Sequence, residues 1–182
     1  RDRARVLLGI TMITRLLAIL ALFVVAPFLR AEPLDLTNAK NSEAATVLLA
    51  RYFENIGLDV IDKDEKQFGL KFGGYNIVLV AYCSDDNGCR LNAYITYGGR
   101  KENLGNAKLM NLVNDINSQY NLVAFSVDKD GDICYRYSLV FDRKLDAKVI
   151  QRWLRQVESQ TNAIRTEYRE QLKPFMASKP GK

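Results

Sequence analysis

Three cysteines, no histidine and one close run of aspartates define the chemistry open to this chain. Without His there is no Ser–His or Cys–His pair and no imidazole proton shuttle. Cys83, Cys89 and Cys134 are too few for the common zinc sites. Carboxylate, Lys and Tyr chemistry stays formally open, so a His-free enzyme is the alternative to the expected non-catalytic protein. Asp128, Asp130 and Asp132 have the spacing that opens a calcium loop. Such a loop needs Gly at its sixth position and Glu at its twelfth. Here Gly131 is fourth and Leu139 twelfth, so the segment reads as a hairpin turn. Asp62, Asp64 and Glu65 read as a second, solvated turn. No metal and no cofactor are expected.

Cys83 and Cys89 have five residues between them, around the turn Asp85-Asp86-Asn87-Gly88. Two strands joined there would set the cysteines opposite each other, within the roughly 4.4–6.8 Å between Cα atoms that a disulfide spans. An oxidising compartment makes that bond the expectation. A redox-active pair is the alternative, with no Cys-x-x-Cys spacing or helix N-terminus to lower a thiol pKa. Cys134 is left as a small unpaired residue inside a strand.

The elements that hold these residues follow from periodicity. Asn41-Ser42-Glu43 caps a helix running to about Ile56, with Gly57 as its stop and Val47, Leu48, Tyr52 and Ile56 as its stripe, widened by Leu49 and Phe53. Strands are predicted over 58–63, 68–72, 76–83 and 90–97, joined by short turns that include Gly73-Gly74. A second helix over 106–118 puts Leu109, Met110, Val113 and Ile116 inward. Strands over 122–128 and 133–141 bracket the Asp-Gly turn, and Ile133, Tyr135, Tyr137, Leu139 and Phe141 share one face. A final helix runs from about Leu145 to about Leu172, with the stripe Val149, Ile150, Trp153, Leu154, Val157 and Ile164. The expected fold class is therefore α+β: one domain, a predominantly antiparallel sheet with helices packed on it, in the order helix, four strands, helix, two strands, helix.

Charge divides the chain into three parts. Residues 1–31 carry five Arg and one acid; residues 32–142 have a net charge of −5 and residues 143–182 one of +6. In the first part Arg15 precedes a 14-residue apolar run over 16–29, followed by Ala31 and Glu32-Pro33. That is the layout of a secretory signal, and the run is shorter than the roughly 17–25 residues that span a bilayer. Met12 is the expected true start. The expected division is a signal region 1–31, a domain 32–174 and a disordered tail 175–182. Export to the bacterial periplasm or beyond is expected, with an uncleaved anchor in the inner membrane, domain facing outward, as the alternative. With the leader set aside the net charge is +1, so no nucleic-acid partner is expected.

The order of these features resembles the YbjN-like family, described as "putative bacterial sensory transduction regulator", and its exported branch in particular. The residues that carry the resemblance are Tyr52-Phe53-Glu54-Asn55-Ile56-Gly57, the Cys83–Cys89 turn and Leu109-Met110-Asn111-Leu112-Val113-Asn114-Asp115-Ile116-Asn117. The Asp-Gly hairpin at 128–132 and a C-terminal helix with Trp153 complete it. The resemblance covers about 44–164. Asn114 stands where an aromatic is usual, and the C-terminal helix is longer and more basic. It implies a fold like that of type III secretion chaperones and supplies no catalytic residues.

The function expected from both lines is a non-catalytic binding or regulatory module, with a protein as partner. Trp153, Val157, Ile164 and Tyr168 are the candidate partner surface, because the stripe continues where the helix is expected to outrun the domain. A homodimer is one way to cover such a stripe, and a solvated helix end is the other. The basic C-terminal helix also suits a membrane surface.

Overall fold

The protein is described here by a computed structural model covering residues 32–84 and 88–177. The expected leader, the tip of the turn at 85–87 and residues 178–182 lie outside the described residues.

Strand β1 (Leu34–Asp35) leads into helix α1 (Ser42–Asn55), whose N-cap Asn41 accepts the Ala44 N–H at 2.8 Å. Gly57, at φ +81°, ends the helix in the left-handed region that favours glycine. Strands β2 (Asp59–Lys63), β3 (Phe68–Phe72), β4 (Tyr75–Ser84) and β5 (Gly88–Tyr97) follow as a meander. Helix α2 (Ala107–Gln119), capped by Asn106, precedes β6 (Ala124–Val127) and β7 (Ile133–Phe141). Strand β8 (Lys144–Leu145), helix α3 (Ala147–Glu167), a short helix α4 (Arg169–Leu172) and a 3₁₀ turn (Lys173–Phe175) complete the order.

Six strands form one antiparallel sheet in the order β2-β3-β4-β5-β7-β6, while β1 and β8 make a separate two-stranded ribbon. The expected class and element order hold. The small ribbon was not expected: two residues per strand leave no alternation to read.

The helices cover a single face of the sheet. Ile77, Leu79, Ala81, Leu91, Ala93, Ile95, Ile133, Tyr135 and Tyr137 point into it and are buried with residues of α1, α2 and α3. The stripe of α1 is rotated from the expected one. Ala45, Leu49, Phe53 and Ile56 are buried, while Val47 and Leu48 are only half-buried. The rotation centres Phe53 on Phe68, edge to face with centroids 5.3 Å apart. In α2, Leu109, Val113 and Ile116 are buried as expected. Asn117 of that helix gives its amide N–H to Phe125 O and accepts the Phe125 N–H, at 2.9 and 2.8 Å. These two bonds satisfy part of the free edge of β6.

The C-terminal segment differs from expectation. Helix α3 ends at Glu167 rather than running straight to 172, and Tyr168, Leu172, Phe175 and Met176 continue along the body. Ala177 N–H donates to Gly98 O at 2.8 Å. The ordered body thus extends past the boundary expected at 174, because these apolar side chains still have core to cover.

Candidate interaction surface

Cys83 and Cys89 face each other across β4 and β5 and are joined by a disulfide. The bond closes the far end of the longest hairpin and fixes the register of the strands that cross the middle of the sheet. The Cys83 N–H donates to Ser42 Oγ, in the first turn of α1, at 3.1 Å.

With the helices on one side, every second residue of β3–β7 faces away from them. Across the strands this open face reads Val78–Tyr94–Arg136–Ala124, then Val80–Asn92–Ser138, then Tyr82–Arg90–Val140. Val140 is 68% exposed, Tyr82 49% and Val78 38%. Asn92 is buried beneath its neighbours: its amide N–H donates to Tyr94 Oη at 3.2 Å and its carbonyl accepts from Ser138 Oγ at 2.7 Å. Partial burial, followed by a hydrogen bond with Tyr94, raises the Tyr82 pKa, while Arg136 and Arg90 act the other way. Strands β3–β7 contain no Asp or Glu, and their three cations, Lys71, Arg90 and Arg136, are all exposed on the open face. Tyrosine, arginine and aliphatic side chains around a satisfied polar centre match the composition of protein interfaces.

Cys134 also sits on this side, half-buried in β7, with its sulfur 3.7 Å from Asp128 Oδ2 and from Thr96 Oγ1. Burial, reinforced by Asp128 and Asp132, pushes the thiol pKa up, and the nearby Thr96 hydroxyl only partly offsets this. The aspartates of the turn bond to backbone: Asp128 Oδ1 accepts the N–H groups of Asp130 and Asp132, and Asp132 Oδ1 accepts that of Gly99.

The four residues expected as a partner surface lie elsewhere. Trp153, Val157, Ile164 and Tyr168 are all buried in the chain's own core. The helix does not outrun the body, because the chain bends at Tyr168 and stays on the core. The apolar stripe is therefore used internally and offers no surface for a second copy. Among the described residues, no helix is long and apolar enough to cross a membrane. The outer side of α3 presents Lys148, Arg152 and Arg155, all exposed, beside Leu122.

The open face had a legible signal that the periodicity reading passed over. Residues 77–82 of β4 are apolar without interruption, which is what a strand shows when both faces are apolar.

A profile of the YbjN family, described as "Putative bacterial sensory transduction regulator", matches residues 46–170. The chain belongs to the YbjN family. Among solved structures, "YbjN, a putative transcription regulator from E. coli" superposes with a TM-score of 0.52 at 14% identity. The match covers 71% of this chain and 93% of that one. At that identity the likeness to E. coli YbjN is one of fold. No curated protein matches the sequence. The family match spans residues of the helices and of the sheet together.

Proposed function

We propose that this YbjN-family chain is an exported, non-catalytic regulatory module of the bacterial periplasm that binds an acidic protein surface through the open face of its sheet. The observation that carries the reading is that face itself: exposed Tyr82, Val78 and Val140 beside Arg90 and Arg136, with no carboxylate on the strands that bear them. Apolar area supplies the affinity, and the two arginines, which have no ion-pair partner among the described residues, select carboxylates and speed encounter. Export is supported by the leader-like segment 1–31 and by a disulfide of the kind that persists in oxidising compartments.

Photocrosslinking residues placed at 82, 140 and, as a control, at Val149 on α3 test the surface in living cells. Protein adducts are expected from 82 and 140, absent from 149, and lost in R90E/R136E. Adducts at none of these positions, or equally at 149, would discard the reading. N-terminal sequencing of envelope protein tests export, with a start near Glu32 as the expected result.

A second reading has one observation behind it. Lys148, Arg152 and Arg155 line one open groove with Leu122, and among the described residues none of the three has an ion-pair partner within 4 Å. Such a cationic face with an apolar edge suits anionic lipid headgroups. Co-sedimentation with phosphatidylglycerol vesicles, lost in K148Q/R152Q/R155Q, would favour it.

A further inference from the structure

Arg165 is exposed and unpaired in an unusual setting. Its guanidinium lies 5.6 Å from the Tyr75 ring centroid and 5.3 Å from that of Tyr97. It donates to Tyr75 Oη at 3.4 Å, and that hydroxyl donates in turn to Asn162 Oδ1 at 2.5 Å. Among the described residues no carboxylate lies within ion-pair distance of it. The groups that act on its charge are tyrosines 75, 97 and 135, with Tyr75 first. Nearby, the Tyr97 hydroxyl is buried without a hydrogen-bond partner.

Arg165 opens onto a cleft of about 650 Å³. Arg169 and Lys173 follow it at four-residue steps along the wall, so three cations meet one carboxylate, Glu170, which sits 3.9 Å from Lys173 at the rim. Half-buried Met176 gives the cleft an apolar edge, above the buried Tyr135 and Leu172. Its volume falls in the range of small-molecule sites, roughly 300–1,000 Å³.

We propose that this cleft binds a small organic oxyanion, its carboxylate or phosphate on Arg165 and Arg169 and its apolar body against Met176. The guanidinium suits this task because it is planar, always charged and able to bond both oxygens of an oxyanion at once. Its aromatic neighbours hold it in place without neutralising it. An inorganic ion would leave the apolar edge uncovered, which is why an organic body is part of the assignment. The site lies on the helical side of the sheet and does not depend on the open face.

Calorimetric titration of the purified protein with phenyl phosphate, benzoate, inorganic phosphate and benzyl alcohol tests this. Saturable binding of phenyl phosphate and benzoate is expected, with inorganic phosphate about tenfold weaker or more, and no binding of neutral benzyl alcohol. R165Q should weaken phenyl phosphate by about tenfold or more, the loss of one charge-assisted contact. R169Q, at an exposed position on the rim, tests the same point if R165Q fails to fold. No saturable binding of either organic anion, equal binding of benzyl alcohol or inorganic phosphate, or affinity unchanged in both folded variants would overturn the assignment.

Discussion

The Asn103 side-chain amide donates to Phe175 O at 2.8 Å across 72 residues of sequence, and to Gly131 O at the same distance. Asn103 is buried at the end of a 3₁₀ turn and is the point where the β5 exit, the β6–β7 turn and the C-terminal segment meet. Gly99 and Gly131 let the backbones close on it: a Cβ on Gly99 would collide with Gly131 O. N103A leaves two carbonyls without this donor, and a loss of about 1–3 kcal/mol is expected. N103D places a carboxylate against them and should cost more. Urea unfolding measures both. Limited proteolysis should show earlier cleavage near Phe175 in N103A, and an unchanged pattern would mean that packing of Phe175 and Met176 and the Ala177–Gly98 bond hold the segment without Asn103.

Reducing the Cys83–Cys89 bond should cost about 2 kcal/mol, the chain-entropy value for so short a loop. The effect should be greatest at the hairpin end, where Cys83 N–H meets Ser42 Oγ of α1 and Cys89 pairs with Phe141, and should fade along β7 toward 133–137. Unfolding curves with and without reductant give the energy. Amide exchange should quicken near 82–84 and 88–90 and leave 133–137 unchanged.

The strands were the most legible part of the fold, and β3 and β7 begin and end where alternation places them. The end of α3 was not legible, and Thr161 shows why. Counted as polar, it interrupts the stripe between Val157 and Ile164, so the pattern reads as a helix leaving the core. It is in fact fully buried, its hydroxyl donating to Val157 O at 2.7 Å and pairing with Tyr137 Oη at 2.8 Å. With Thr161 restored, the stripe runs on through Tyr168 and Leu172. The disulfide was legible because a hairpin turns sequence spacing into spatial opposition. The Arg165 cleft was not, since Tyr75, Tyr97, Tyr135 and Arg165 meet only through the sheet order.

The Tyr137–Thr161 pair makes its own prediction. T161V keeps the shape and removes the hydroxyl, leaving the buried Tyr137 Oη without this partner, at about 1–3 kcal/mol. Y137F/T161V removes both groups and should recover part of that loss. A double-mutant cycle in urea that comes out additive would show the hydroxyls to be independent.

Cys134 should alkylate slowly. Its pKa is raised, burial being the largest cause and Asp128 adding to it. Since the thiolate is the reactive form, the iodoacetamide rate near pH 8 should fall below that of an unperturbed cysteine and climb as pH rises. D128N removes one of the raising charges, so it should increase the rate at that pH. A slower D128N protein would show that access rather than ionisation limits the reaction.

Stability should fall in strong base because of the tyrosines beneath the helical layer. Burial pushes Tyr97 up to about 12, with Arg165 drawing it partly back, and burial also raises Tyr135 and Tyr137. In the unfolded chain a tyrosine titrates near its ordinary value, about 10. Below that value both states hold the proton and these groups leave stability independent of pH. Above it the unfolded chain releases protons that the folded protein retains, so the unfolded state gains, and the stability present at lower pH is lost as pH rises through the folded pKa. For Tyr97 the window runs from about 10 to about 12. The urea midpoint should therefore decline across that window, while tyrosinate absorbance of the folded protein lags behind that of the unfolded chain. R165Q removes the cation that draws the Tyr97 value back, so its midpoint should decline more steeply over the same range. A midpoint that stays level through the window would show that these hydroxyls reach solvent without unfolding.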